Sequence, residues 1–182
     1  MTLNLPNFLA LLRVMMAPLL FVFLVERDAA LFQGIHPSWL DFFAALIFVL
    51  ASATDFFDGY IARGWNQMTK FGAILDPLAD KMLILAAFLG LVMIDRANGW
   101  AIYLILTREF FITGLRVMAV SEGRNVAASM AGKVKTVFQM IAIGFLIMNW
   151  PFATLLLWVA VGLTLYSGAE YVIGYTKSEK SC

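Results

Sequence analysis

Cysteine, histidine and charge are all scarce in this chain of 182 residues, and each shortage removes a class of chemistry. The one cysteine, Cys182, is the last residue; alone it forms no internal disulfide, and nothing follows it to complete a prenylation signal. The one histidine, His36, stands beside Pro37 in a polar stretch that holds no nucleophile or orienting acid, which argues against histidine chemistry. Charged residues make up only 14%, and the formal net charge of +1 says little about partners, among which no nucleic acid is expected. Linkers, low-complexity tracts, internal repeats and a separate soluble domain are also missing, so residues 1–182 read as one membrane domain.

What the chain has in excess is apolar surface. Hydrophobic residues reach 62% and the mean hydropathy is +0.86. A soluble domain of this size has too little interior for so much apolar sequence, so the solvent must be lipid. The pattern predicts an all-α integral membrane protein with six transmembrane helices. The first runs from Phe8 to Val25 with Asn7 as its N-cap. Arg13 interrupts its apolar run and no small-residue cleavage site follows, so it reads as a retained helix and not a signal peptide. Arg13 would either snorkel to the headgroups or point inward at an anion. The second helix is Trp39–Arg63, apolar through Ala53. The third begins near Phe71, with Pro77 inside it, or at Asp76 as an N-cap, and ends at Ile94. The fourth runs from Trp100 to Val120, the fifth from Gly132 to Met148 and the sixth from Phe152 to Ile173, before a short polar tail.

Loop charges set the expected topology. Arg63, Lys70, Arg124, Lys133, Lys135, Lys177 and Lys180 fall on one side, and Arg27 and Arg96 on the other. The positive-inside rule then places both termini at the cytoplasmic face of the cytoplasmic membrane, with a polar active-site cavity on that side. Trp39, Trp100 and Trp150 fall near the opposite interface, as an aromatic belt would.

The chemistry concentrates in DFFDGYIARGWNQMTKFGAILDPLAD, from Asp55 to Asp80. Asp55 and Asp58 share a helix face at i, i+3, as do Asp76 and Asp80 at i, i+4. Four converging acids in apolar sequence repel one another unless something positive sits among them. Two divalent cations, Mg²⁺ or Mn²⁺, held by these hard oxygen donors are the simplest answer. Gly59, Ala62 and Gly72 remove bulk beside the acids, and Asp55, Gly59, Ala62 and Arg63 line one face as a seat for a nucleotide diphosphate. Acids within a membrane protein default to function over packing.

A second polar group lies in the fourth and fifth helices. Arg108 and Arg116 share a face at i, i+8, while Glu109 neutralises at most one of them. Lys133 and Lys135 open the fifth helix, as interfacial anchors or as ligands for an anion. Four cations are more than a neutral alcohol needs, and they suit a phosphorylated acceptor.

The pattern D-x2-D-G-x2-A-R-x8-G-x3-D-x3-D is met at every fixed position by Asp55, Asp58, Gly59, Ala62, Arg63, Gly72, Asp76 and Asp80. It resembles the signature of the CDP-alcohol phosphatidyltransferases, membrane enzymes of phospholipid synthesis. The opening NLPNFLALLR and the segments TREFFITGLR (Thr107–Arg116) and GKVKTVFQM (Gly132–Met140) resemble the branch that uses glycerol 3-phosphate. Ala10 stands where many members carry Thr or Ser, so a hydroxyl contact there is lost or supplied elsewhere. The resemblance implies that sn-glycerol 3-phosphate attacks CDP-diacylglycerol to give phosphatidylglycerophosphate and CMP. It also implies Asp55, Asp58 and Asp76 as metal ligands with Asp80 assisting, Asp80 as the base, and Gly59, Ala62 and Arg63 against the CDP moiety. A homodimer is the further expectation. A sister enzyme using inositol phosphate, serine or phosphatidylglycerol is the alternative acceptor reading. A cation transporter is a third reading, opposed by acids that cluster at an interface and not at the bilayer midplane.

Overall fold

A computed structural model describes residues 5–65, 70–121 and 130–179, with side chains outside 5–7, 55–65, 70–77, 120 and 177–179. Among the described residues the chain forms six α-helices and one 3-10 turn, with no strand. The helices are α1 (Leu5–Val25), α2 (Pro37–Trp65), α3 (Lys70–Met93), α4 (Gly99–Ser121), α5 (Met130–Ile147) and α6 (Ala153–Glu179). Segments within α1, α2, α5 and α6 are long and apolar enough to cross a membrane. The protein is a helical membrane protein. Its exposed side chains include Met15, Val49, Leu155 and Leu165, as expected of helices whose outer faces meet lipid.

The helix boundaries correct several expectations. Helix α1 begins at Leu5, so Asn7 is inside it and is not its cap. Helix α3 begins at Lys70, which removes Asp76 as an N-cap and puts Pro77 within the helix. Helix α6 continues through Gly174 to Glu179, where a polar tail was expected. Cys182 and residues 122–129, with Arg124, lie outside the described residues, as does Lys180.

The chain divides into two compact units. The first holds residues 1–96 and 147–149, the second residues 97–146 and 150–182. In the first, α1 packs against both α2 and α3, which also touch each other. The buried positions of α1 are Ala10, Arg13, Ala17, Leu20 and Leu24, alternating steps of three and four. Ala79, Leu83, Ala87 and Leu91 do the same on α3 at steps of four. Small residues set the spacing, as they must where lipid supplies no hydrophobic drive between helices. A Cβ on Gly90 would lie 2.9 Å from Cδ1 of Leu24, so glycine is what lets α1 and α3 approach there.

The end of this unit where α2 begins is pinned by a buried acid that the sequence reading passed over. Asp41, in what was taken as an uninterrupted apolar stretch, is 7% exposed. It accepts from Nη2 of Arg27 at 2.5 Å and from Nη1 and Nη2 of Arg96 at 2.8 and 2.9 Å. Nη1 of Arg96 also donates to the Ile147 carbonyl at 2.5 Å, satisfying an end-of-helix acceptor of α5. The two arginines assigned to one side by loop charge thus meet on a single carboxylate.

Turn chemistry closes the helices. Asp95 (φ 57°) and Asn149 (φ 52°) adopt the left-handed conformation just past α3 and α5. Arg96 N–H then donates to Leu91 O at 2.9 Å, and Trp150 N–H to Phe145 O at 3.0 Å, the six-to-one bond of a Schellman cap. The Trp150 ring packs edge-on to Phe145 at 5.1 Å, supplying the apolar contact that accompanies such caps. Asn98 caps α4 by accepting from Trp100 N–H at 3.0 Å. In the second unit α4 packs against α6, and α6 buries Leu157, Ala160, Val161, Thr164, Ser167 and Tyr171 along one face.

Candidate functional site

The four acids occupy two helices of the first unit. Asp55 and Asp58 lie in the C-terminal part of α2, Asp76 and Asp80 in the N-terminal part of α3, and both helices are continuous through them. The i, i+3 and i, i+4 spacings therefore place each pair on one helix face. Residues 66–69 separate the helices, and five peptide steps span at most about 18 Å, so the ends carrying the acids stay together. Asp58 is seven residues before the end of α2 and Asp76 six after the start of α3, about 10 Å from each terminus. Asp55 and Asp80 are each ten residues away, about 15 Å. Each pair thus lies a similar number of residues along its own helix from the 66–69 connection. Asp80 is half-buried and engaged with a neighbour. The side chains of Asp55, Asp58, Gly59, Ala62, Arg63, Gly72 and Asp76 lie outside the described residues.

Helix α1 brings a cation to these helices. Arg13 is fully buried and engaged, so the snorkelling alternative is set aside in favour of an inward guanidinium. A guanidinium without water needs compensating charge or hydrogen bonds, and α1 packs on both acid-bearing helices.

The second unit carries Arg108, Glu109 and Arg116 on α4 and Lys133 and Lys135 on α5. Oε1 of Glu109 binds Lys135 Nζ and lies 3.4 Å from Nη1 of Arg108. Lys135 is 5% exposed, which excludes an interfacial anchor, while Lys133 is exposed. Glu109 was expected to meet an arginine; its contact with Lys135, across 26 positions, was not foreseen. Among the described residues, Glu109 is the carboxylate that meets both Arg108 and Lys135.

Both arginines also meet α6. Nη2 of Arg108 donates to Ser167 Oγ at 2.7 Å. The guanidinium carbon of Arg116 lies 5.7 Å from the centre of the Tyr171 ring. Gln139 of α5 donates to Thr164 of α6 at 3.0 Å, a fully buried polar contact next to this group. Sequence reasoning found no usable motif in α6. The available signal was polar residues at Thr164, Ser167 and Tyr171, spaced three and four apart in an apolar helix.

His36 has a structural use. Its Nδ1 accepts from Ser38 N–H at 3.3 Å and its carbonyl from Trp39 N–H at 2.9 Å, so it closes the N-terminus of α2 ahead of Pro37.

The sequence model of the CDP-alcohol phosphatidyltransferase domain matches residues 3–166. A Bacillus subtilis protein named CDP-diacylglycerol–glycerol-3-phosphate 3-phosphatidyltransferase is 41% identical over 181 residues, covering 92% of this chain and 93% of its own length. A Rickettsia felis protein of the same name is 38% identical over 178 residues, with 92% and 93% covered. One from Cereibacter sphaeroides is 40% identical over 149 residues, covering 80% of this chain and 64% of its own length. With the family's sequence model spanning most of the chain and the acid pattern complete on two continuous helices, this protein belongs to the CDP-alcohol phosphatidyltransferase family.

Proposed function

We propose that this protein transfers the phosphatidyl group of CDP-diacylglycerol to sn-glycerol 3-phosphate, releasing phosphatidylglycerophosphate and CMP. The observation that carries the reading is 41% identity, over 92% of the chain, to a relative named for that reaction. In the step itself an acceptor hydroxyl attacks the phosphorus bearing diacylglycerol, the bond from that phosphorus to the CMP oxygen breaks, and CMP leaves. Asp80 takes the hydroxyl proton as general base.

Asp55, Asp58, Asp76 and Asp80 would hold two divalent cations, Mg²⁺ or Mn²⁺. The donor set fits in its chemistry, being four hard carboxylates on two helices joined by a short connection. Bound there, such ions neutralise a diphosphate and stabilise a departing phosphate oxygen. Asp55, Gly59, Ala62, Arg63 and Gly72 contact the CDP moiety. Arg108, Arg116, Lys133 and Lys135 bind the phosphate of the acceptor, with Glu109 neutralising part of their charge. The chain acts as one domain, an idea supported by a family match that runs through both compact units. Six helices cross the cytoplasmic membrane, with the polar cavity and both termini on the cytoplasmic side, where the basic loops favour it. The working form is a homodimer.

The test is CMP release by detergent-purified protein given CDP-diacylglycerol, Mg²⁺ or Mn²⁺, and one acceptor per reaction. Glycerol 3-phosphate, inositol phosphate, serine and phosphatidylglycerol are the acceptors to offer. Release with glycerol 3-phosphate alone is expected. Release with another acceptor alone overturns the reading of the cationic group, and no release from folded protein overturns the reaction.

A further inference from the structure

Helix α6 carries a stripe of four buried residues, Thr164, Ser167, Gly168 and Tyr171, at steps of three, one and three. Three of them touch the arginines of α4. Ser167 Oγ accepts from Arg108 at 2.7 Å and lies 3.3 Å from the Thr164 carbonyl. Donating its proton to that carbonyl turns an oxygen lone pair toward the guanidinium. Gly168 supplies the room: a Cβ there would come within 3.0 Å of Arg108 Nε and 3.1 Å of its Cγ. The arginine stem lies directly on the helix backbone, where any Cβ would press on it. Tyr171 is 6% exposed, and its ring faces Arg116, whose side chain is exposed. The Tyr171 hydroxyl makes no hydrogen bond among the described residues, so the ring is the part that matters to Arg116.

The chemistry of these partners is the telling feature. A carboxylate would hold an arginine more strongly and cancel its charge. A hydroxyl, a bare backbone and an aromatic face hold it in place and leave the charge intact. Glu170 lies off the stripe and is exposed, and the nearby Glu109 shares one oxygen between Lys135 and Arg108. Such a seat leaves the two arginines able to meet a further anion.

We infer that Ser167, Gly168 and Tyr171 of α6 are positioning residues that hold Arg108 and Arg116 for the acceptor's phosphate. The inference rests on the reading above, in which those two arginines bind that phosphate. These residues lie past the segment matched by the family's sequence model, which ends at residue 166.

The experiment compares KM for glycerol 3-phosphate with KM for CDP-diacylglycerol in full-length protein, by CMP release in detergent. Ser167→Ala removes a hydrogen bond to a charged group and is expected to raise KM for glycerol 3-phosphate roughly tenfold. Tyr171→Leu removes the ring and is expected to raise it roughly threefold. Tyr171→Phe keeps the ring and is expected to behave as wild type. KM for CDP-diacylglycerol stays within about twofold throughout. Arg108→Gln and Arg116→Gln, measured alongside, separate the two levels of the argument. If both leave KM for glycerol 3-phosphate unchanged, the phosphate reading falls. If they raise it while Ser167→Ala and Tyr171→Leu do not, the α6 inference alone falls. Equal rises in both KM values for the α6 variants, showing general distortion, also overturn it. Should Tyr171→Leu fail to fold, Ser167→Ala decides, since it deletes a single buried oxygen.

Discussion

Asp41→Asn offers the sharpest test of how the first unit is held together. The carboxylate accepts three charge-assisted hydrogen bonds from two arginines. Asparagine keeps the shape but removes the charge, and its amide turns donors toward guanidinium groups that have only donors to offer. Breaking a fully buried ion pair costs about 3–5 kcal/mol. The Arg27 and Arg96 side chains keep 19% and 17% exposure, so partial rehydration reduces the loss. A net cost of about 2–3 kcal/mol follows. For a chain of this size each kcal/mol moves the midpoint by about 2–4 °C, so the melting temperature should fall by roughly 4–12 °C. Thermal unfolding in detergent, followed by tryptophan fluorescence, reads this directly. Asp55 lies 14 residues further along the same helix, about 21 Å at 1.5 Å per residue. CMP release well below the transition should therefore keep both KM values. Arg96→Gln added to Asp41→Asn should cost less than the sum of the two single changes, because they share the ion pair, although Arg96 alone also holds the Ile147 carbonyl. A melting temperature within a degree of wild type would refute the reasoning. So would altered KM values in protein that melts normally.

Three further outcomes are expected. Gly90→Ala places a methyl 2.9 Å from Cδ1 of Leu24 and should cost about 1–3 kcal/mol by overpacking. Combined with Leu24→Ala, it should cost less than the sum of the two changes, as read by melting temperature. His36→Ala removes a weak helix cap and should cost about 1 kcal/mol or less with kcat unchanged; a tenfold fall in kcat would return acid–base chemistry to that residue. Asp80→Asn should abolish CMP release while the protein still elutes as folded material from gel filtration, and near-normal turnover would remove Asp80 as the base.

How much was legible in the sequence depended on distance along the chain. The helices themselves could be read, because apolar runs bounded by polar turns are local features, and so could the placement of the acids on two successive helices. Their ends were less legible. Asn7 resembles a cap, yet Leu5, Pro6 and Asn7 are already helical, and Gly174 resembles a stop, yet α6 continues to Glu179. A cap residue reports only that a helix can start or end there, while packing over several turns decides whether it does. The Schellman ends at Asp95 and Asn149 show the reverse, with non-glycine residues accepting positive φ because the turn also forms its bonds and, at Trp150, an aromatic contact.

Least legible were the partners of the buried charges, and they illuminate the site most. Asp41 was hidden in an apolar run because its partners, Arg27 and Arg96, come from two different loops. Lys135 read as one of four equivalent cations, yet it is buried on Glu109, whereas Arg108 meets Glu109 only at 3.4 Å and, like Arg116, rests on neutral groups of α6. Charge counting along a sequence treats all of these alike. The structure sorts them by what each one meets. A lysine buried against a carboxylate has already gained most of the stabilisation its charge can give. An arginine held by a hydroxyl, or stacked on an aromatic face, keeps its field for a ligand. By that criterion Arg108 and Arg116, not Lys135, should dominate affinity for a phosphorylated acceptor. Neutralising either arginine should therefore weaken glycerol 3-phosphate binding more than stability, and neutralising Lys135 should do the opposite.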